Sequence, residues 1–579
     1  MSEIGPFYRE LFSFLQESGL EHLDQAAPLD QIVHDYHELW SEKNAIQVER
    51  QWMTAFSAKE FAELGLSAPL PKLYRGLPRL YHRDDPSVSR IKKNFSHLPT
   101  LKALSVDRAV FSLYEKRPLQ RTMRVAILTW VMTDGLGDWV AAKEAGAILQ
   151  KQPGLEVHLV AITARPLPLD TLLPTYMISC EQEPTIEAFS FEKKKFLREM
   201  DLILQIPTFF PQTHALIGQL SKIASLRLCP KIKHIGEYGF LESSWFHPKT
   251  GNRSMGLHAL EKGILIREPK QGQFTDLENK TLLRWLFRTE TPSLTDIDAY
   301  RFKHRFHLAY LSTTTGGQIY LQALLKMWEK EEKGIDLCSP DFSWIIGWLE
   351  ERQKQHVPLL EESYGVREIV FYFHEYRHVI PIGEKGKTVR IFSPGRISSS
   401  DFQALIGLSE DWIAVRGDQS FTEAIASAKP FFYDGREHKR YFLKDLFALA
   451  ENRLSGYRSS LQVFRMMGQA FLWNLPQEEA EWVDESYFQA QEKMPPVAIA
   501  AALGAQLQKP ETMQGFAAFS HILREECSFE PFLCHLVQRS LLHRTRPEVC
   551  EEEHRLVALY ATGHLSLTAL VKNIKNKII

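Results

Sequence analysis

The spacing of apolar residues changes character along the chain. Through residues 1–118 they recur every three or four positions, as in FYRELFSFLQ and IVHDYHELW, which predicts amphipathic helices. At Arg124 the pattern becomes a short, unbroken, β-branched run, RVAILTWV (Arg124–Val131), as a parallel strand buried on both faces requires. MTDGLGD follows, then the small-residue helix WVAAKEAGAILQ, ended by Gln152-Pro153-Gly154, and a second buried run, EVHLVAIT (Glu156–Thr163). Strand, glycine loop, helix and strand make a βαβ unit with a right-handed crossover. DLILQI (Asp201–Ile206) and KIKHIG (Lys231–Gly236) extend it into one Rossmann-type domain.

A second α/β rhythm starts near residue 305 with RFHLAYLS, the Gly316-Gly317 turn and the helix QIYLQALLKMW. REIVFYF (Arg367–Phe373), TVRIFS (Thr388–Ser393), WIAVR (Trp412–Arg416) and KPFFYD (Lys429–Asp434) add strand-like runs. Beyond residue 440 helical spacing returns, in LKDLFALAENRL and PPVAIAAALGAQLQ. The expected fold class is α/β: two Rossmann-like domains with helical N- and C-terminal extensions. The expected boundaries are a helical accessory domain at 1–120, Rossmann-like domains at 121–303 and 304–445, and a helical extension at 446–579. Such a pair is expected to hold its ligands outside the carboxyl ends of the two sheets.

Composition narrows the function classes. Lys and Arg number 69 against 71 Asp and Glu, a net charge of −2 that lacks the basic surplus of a nucleic-acid binder. Of the 579 residues, 44% are hydrophobic and 24% charged, which is globular and neither disordered nor fibrous. The N-terminus, MSEIGPFYRELFSFLQESG, has no basic segment followed by an apolar one, and runs such as Val125–Val131 and Val497–Gly504 fall short of the ~18 residues of a membrane span. The six cysteines are spread thinly, which favours reduced thiols and a cytoplasmic location, with a Sec-independent export route left open. Cys527, Cys534, His535, His543 and His554 fit no zinc spacing, and His374 and His378 follow a strand without the metal-site glutamate pattern, so no metal is expected.

Two strand-to-helix turns carry candidate chemistry. In Asp134-Gly135-Leu136-Gly137-Asp138, the glycines let a ligand approach the backbone and the helix start offers free N–H groups to an anion. The two carboxylates, four positions apart, supply a general base and a partner to orient an acceptor; they also read as a turn residue and an N-cap. In Arg416-Gly417-Asp418-Gln419-Ser420-Phe421-Thr422-Glu423, Ser420 and the helix start suit a diphosphate, Arg416 offsets its charge, and Asp418 or Glu423 accepts from sugar hydroxyls. An ordinary helix cap explains the same residues. A third segment, Trp245-Phe246-His247-Pro248-Lys249-Thr250-Gly251, is turn-rich and aromatic.

Together these runs resemble a GT-B glycosyltransferase, and more narrowly the protein-arginine rhamnosyltransferases that modify elongation factor P. That family opens its first half with strand, Asp-Asn-(Tyr/Phe)-Gly-Asp, helix; here Asp134, Gly137 and Asp138 keep the spacing. Its Arg-Gly-Glu-Asp-Ser-Phe run, followed by Gly-Lys-Pro-Phe, is matched by Arg416-Gly417-Asp418-Gln419-Ser420-Phe421 and Ala428-Lys429-Pro430-Phe431, with Asp418 for Glu and Gln419 for Asp. Phe246 to Gly251 loosely echoes the family's mid-chain aromatic segment, on the acceptor side or in a loop, with Phe246 and Thr250 as the matching residues.

The resemblance implies Asp134 and Asp138 as the catalytic acidic pair, and Gly135, Gly137, Arg416, Gly417, Asp418, Gln419, Ser420, Phe421 and Glu423 around a nucleotide-diphosphate sugar. It implies a metal-independent, inverting transfer from a dTDP-rhamnose-like donor to a protein arginine, with the nucleotide sugar as co-substrate and no other cofactor. The alternative is a non-catalytic GT-B-like binding or interaction protein, motivated by the changes at Asp418 and Gln419.

Overall fold

The structure, a computed structural model, describes residues 106–114, 121–131, 136–164, 166–167, 173–179, 190–208, 232–239, 253–257, 261–266, 273–340, 344, 359–373, 376–395, 397–436, 439–475, 493–561 and 564–577. The chain forms two compact units, one running to Leu265 and taking in Ser528 onward, the other Ile266–Cys527. Of the expected helical domain at 1–120, all but residues 106–114 lies outside the described residues; these carry helix α1 (Asp107–Ser112).

The first unit is built on a fully parallel sheet. Strand β1 (Met123–Val131) lies between β2 (Leu155–Thr163) and β4 (Leu202–Thr208), with β3 (Thr175–Ser179) outside β2 and β5 (Ile232–Gly236) and β6 (Arg253–Ser254) outside β4. The order β3-β2-β1-β4-β5-β6 is that of a doubly wound fold, in which the chain changes direction between β1 and β4. Helix α2 (Gly137–Gln150) connects β1 to β2 and buries Trp139, Val140, Ala142, Ala145 and Leu149. It sits close to the sheet because Gly146 has no side chain: a Cβ there would stand 2.6 Å from Leu173 Cδ1. Helix α3 (Phe191–Glu199), capped by Ser190, precedes β4.

In the second unit, helices α4 (Lys280–Phe287) and α5 (Leu294–Lys303) lead into β7 (His304–Leu308), α6 (Thr314–Met327) and β8 (Gly334–Cys338). A β9 (Val366–Phe373) and β10 (Tyr376–Pro381) hairpin and β11 (Lys387–Ser393) follow, then α7 (Ser399–Leu408), β12 (Ile413–Val415), α8 (Gly417–Ser427) and β13 (Phe431–Tyr433). The main sheet runs β10-β9-β11-β8-β7 and β12 pairs with β13. A parallel bridge between Ala309 and Ala414, with Tyr310 N donating to Ala414 O at 3.0 Å, carries the order on from β7 to β12 and β13. All of these pairings are parallel except that of β10 with β9. The chain changes direction here between β7 and β12.

The expected boundaries shift. Residues 273–303 belong with the second sheet: Phe274 packs edge-on against Phe306 and Tyr300, and Tyr300 Oη donates to Asp336 at 2.7 Å. The stretch after residue 446 is not one extension. Helices α9 (Arg440–Arg453), α10 (Arg458–Leu472), α11 (Pro496–Leu507) and α12 (Pro510–Glu526) stay with the second unit, where Phe464 stacks on Phe516 at 4.9 Å. Ser520 and Arg524 of α12 donate to Ile425 and Ala426 carbonyls, which satisfies the last turn of α8. Helices α13 (Glu530–Thr545), α14 (Pro547–Ala561) and α15 (Leu567–Lys577) belong to the first unit. There Glu553, wholly buried, accepts from Arg539, from His543 at 3.1 Å and from Tyr114 beside α1. Among the described residues no helix is long and apolar enough to cross a membrane.

Candidate functional site

Open doubly wound sheets bind ligands where the winding reverses, outside the carboxyl ends of the two strands involved, so that point is the candidate position in each sheet. In the first unit this is the end of β1 and the start of α2. Residues 132–135, with Asp134 and Gly135, lie outside the described residues, as do Phe246 and Thr250. Leu136 occupies the N-cap of α2 and has no side-chain acceptor for the first-turn N–H groups. Asp138 is therefore the second residue of the helix rather than its cap. It is half-buried, and its backbone carbonyl accepts from Thr129 Oγ1 at 3.4 Å. A carboxylate here gains from the positive end of the helix. A Cβ on Gly137 would meet nothing within 4 Å, so the turn is open on that side.

In the second unit three βα loops meet at the reversal. After β7, Thr313 caps α6 by accepting from Gly316 N at 3.0 Å. After β13, Asp434 lies 2% exposed and accepts from Ser312 N (2.5 Å), Thr313 N (2.9 Å), Thr313 Oγ1 (2.7 Å) and Ser312 Oγ (3.1 Å). Burial pushes its carboxyl above the ordinary range, against the pull of those bonds. Gly316 makes this approach possible, since a Cβ would fall 2.4 Å from Asp434 Oδ1. After β12, the Arg416 guanidinium donates to Leu311 O at 3.0 Å and lies 4.5 Å from the Tyr310 ring centre.

Arg416 is the N-cap position of α8, and Gly417, at φ 75°, opens the helix in a conformation that favours glycine. Asp418 and Gln419 are half-buried in the first turn. Lys439, from the loop after β13, places Nζ 2.8 Å from Asp418 Oδ1. Ser420 does not turn toward a ligand: it is buried, donates to Arg416 O and accepts from Arg416 N at 3.1 Å, so its hydroxyl holds the turn itself. Phe421 and Glu423, expected around the donor, are interior. Phe421 is fully enclosed, edge-on to Phe442 at 5.1 Å and Phe431 at 5.5 Å, because its position faces the sheet. Glu423 is 5% exposed and accepts from Gln419 Nε2 at 3.1 Å. The structure thus brings Arg416, Gly417, Asp418 and Gln419 together at an accessible turn and withdraws Ser420, Phe421 and Glu423 from it.

Sequence reasoning missed Tyr310, Ser312, Thr313 and Asp434. The local sign was present, a strand ending in Asp434-Gly435, but its partners lie over a hundred residues away. Lys429, in the Ala428-Lys429-Pro430-Phe431 echo, is structural: its ammonium donates to Ile406 O, Gly407 O and Ser409 O at the end of α7, and burial lowers it to about 8. An Asp-x-Asp spacing occurs in α5, Asp296-Ile297-Asp298, where Asp296 closes a capping box with Ser293.

No family model matches the chain, and no curated protein matches it. Among solved structures it is similar to an α-glucosyltransferase in complex with UDP, 12% identical, covering 68% of this chain and 95% of that one at a TM-score of 0.30. It is similar to a glycosyltransferase from Rickettsia africae ESF-5, 10% identical, covering 74% and 100% at 0.33. Anabaena Alr3699/HepE in complex with UDP and glucose is 11% identical, covering 72% and 98% at 0.32.

Proposed function

We propose that this protein is a GT-B-type glycosyltransferase that takes a nucleotide-diphosphate sugar as donor. One observation carries the reading: in each doubly wound sheet a helix that opens on a glycine, α2 at Gly137 and α8 at Gly417, starts where the winding reverses. In the second unit, the first turn of α8 and the Arg416 guanidinium receive the diphosphate, and the loop fixed by Asp434 supports them. In the first unit, Asp138, with Asp134, serves the acceptor.

By the resemblance stated above, the sugar is rhamnose-like, carried on dTDP, and the acceptor is a protein arginine, whose guanidinium suits a pair of carboxylates. Transfer is metal-independent and inverting. Asp138 takes a proton from the acceptor nitrogen, the nitrogen pair forms a bond to the anomeric carbon, and the bond from that carbon to the diphosphate oxygen breaks on the opposite face. Nucleoside diphosphate leaves with the bonding electrons, its charge met by helix and arginine.

The test is a thermal-shift panel of dTDP- and UDP-sugars on the full chain, with the best donor carried into transfer assays read by mass spectrometry of acceptor proteins. A donor at 100 times its dissociation constant should add about 2.7 kcal/mol of stability. Asp138→Asn should cut transfer at least about a hundredfold, the range of general-base losses, while donor binding stays within about twofold of the parent. An unchanged rate removes the base assignment, and a panel without a hit removes the donor class.

A further inference from the structure

Asp418 raises an electrostatic problem for the donor site. It is the second residue of α8, in the turn assigned above to a diphosphate, and a carboxylate there opposes the anion that the helix end attracts. Lys439 answers it. This lysine comes from the next βα loop along the sheet, its own N–H held by Arg436 O at 2.9 Å, and its side chain is only 9% exposed. It ends 2.8 Å from Asp418 Oδ1. An ammonium at this depth is placed by its surroundings, unlike the mobile lysines of a solvated charged face. The turn it neutralises is open: a Cβ on Gly417 would meet nothing within 4 Å.

We propose that Lys439 is a positioning residue for the nucleotide diphosphate. By pairing with Asp418 it cancels the carboxylate in the first turn of α8, leaving the turn's N–H groups and Arg416 to hold a dianion. The inference rests on the donor reading above and adds to it the residue that fixes the charge of the site.

The test uses the full chain and four ligands, UDP, dTDP, uridine and thymidine, titrated by calorimetry, with a thermal melt of every variant. Lys439→Met should weaken both diphosphates by about 3- to 30-fold, the effect of one charge at a helix N-terminus, and leave both nucleosides unchanged. Lys439→Arg should bind as the parent does. Asp418→Asn combined with Lys439→Met should recover most of the diphosphate affinity, because the charge that needed cancelling is gone. A lysine that only supports the loop would weaken nucleosides and diphosphates alike, with no recovery in the double variant, and that result overturns the inference. Diphosphate binding unchanged in Lys439→Met overturns it as well. Failure of the parent protein to bind UDP or dTDP overturns the donor reading and this inference together, whereas parent binding without recovery overturns the role of Lys439 alone.

Discussion

His307 lies on β7, wholly buried, with Nδ1 3.0 Å from Trp412 O, so the hydrogen bond suits the neutral ring with its proton on Nδ1. Burial pushes the imidazole down from 6.5 to about 4, against the upward pull of that bond. A depressed histidine means the fold prefers the neutral form. The stability it contributes is therefore full above pH 6.5 and is lost as pH falls toward 4, at about 1.4 kcal/mol per unit. Between pH 7.5 and 5 the parent should lose about 2 kcal/mol on this account, and His307→Gln should lose none of it. Melts of both proteins at the two pH values give the answer: equal losses would mean that the ring titrates normally. The same residue shows what a sequence withholds. Nothing in HRFHL tells which histidine faces the interior; the strand's register does.

At the scale of elements, the close approach of α11 to α6 depends on Gly504. A Cβ there would fall 2.7 Å from Lys326 Cβ and 2.8 Å from the Ala323 carbonyl oxygen, and neither can swing away as a side-chain tip would. Gly504→Ala should cost about 1–3 kcal/mol in chemical denaturation, as overpacking does, while Gly456→Ala, with nothing within 4 Å of its Cβ, should stay within about 0.5 kcal/mol of the parent. Equal effects would mean that the helices do not pack this closely. Elements were legible where burial is two-sided: β1, β2 and β4 lie inside parallel sheets and read as unbroken apolar runs. Strand β10 is an exposed edge with sequence YRHVIP, β8 reads GIDLC with its Asp336 paired to Arg390, and β3 and β6 are short; none carries a pattern to recognise. The glycine that opens α8, Gly417, was legible because its conformation is a local matter. The bonds from Ser312 and Thr313 to Asp434 were not, because only the strand order brings those loops together.

At the scale of the whole chain, the last three helices return to the first unit, and a buried charge holds them there. Glu553 on α14 is wholly buried and faces Arg539 and His543 of α13 and Tyr114 beside α1. Burial alone would raise its carboxyl, but the Arg539 charge and the hydrogen bonds from His543 and Arg539 outweigh it and hold the group far below the ordinary range. Burial in turn lowers the His543 imidazole, so the clamp is chiefly a carboxylate with an arginine and two neutral donors. Removing the carboxylate leaves Arg539 enclosed without its main counter-charge, a loss that costs about 3–5 kcal/mol for buried pairs. A depressed carboxyl contributes stability above its unfolded value of 4.5, which is lost as pH falls below it. Glu553→Gln should therefore melt well below the parent at pH 7, and the gap should narrow as both are taken toward pH 3, because the unfolded parent's Glu553 takes up a proton there while the folded carboxylate stays ionised. Hydrogen exchange adds the location: protection should fall first in peptides from 530–577 and from 107–112, the segments this charge joins. A variant equally stable at pH 7, or a gap that widens in acid, would show that apolar packing such as Phe111 on Phe532, and not the ion pair, keeps the end of the chain on the first unit.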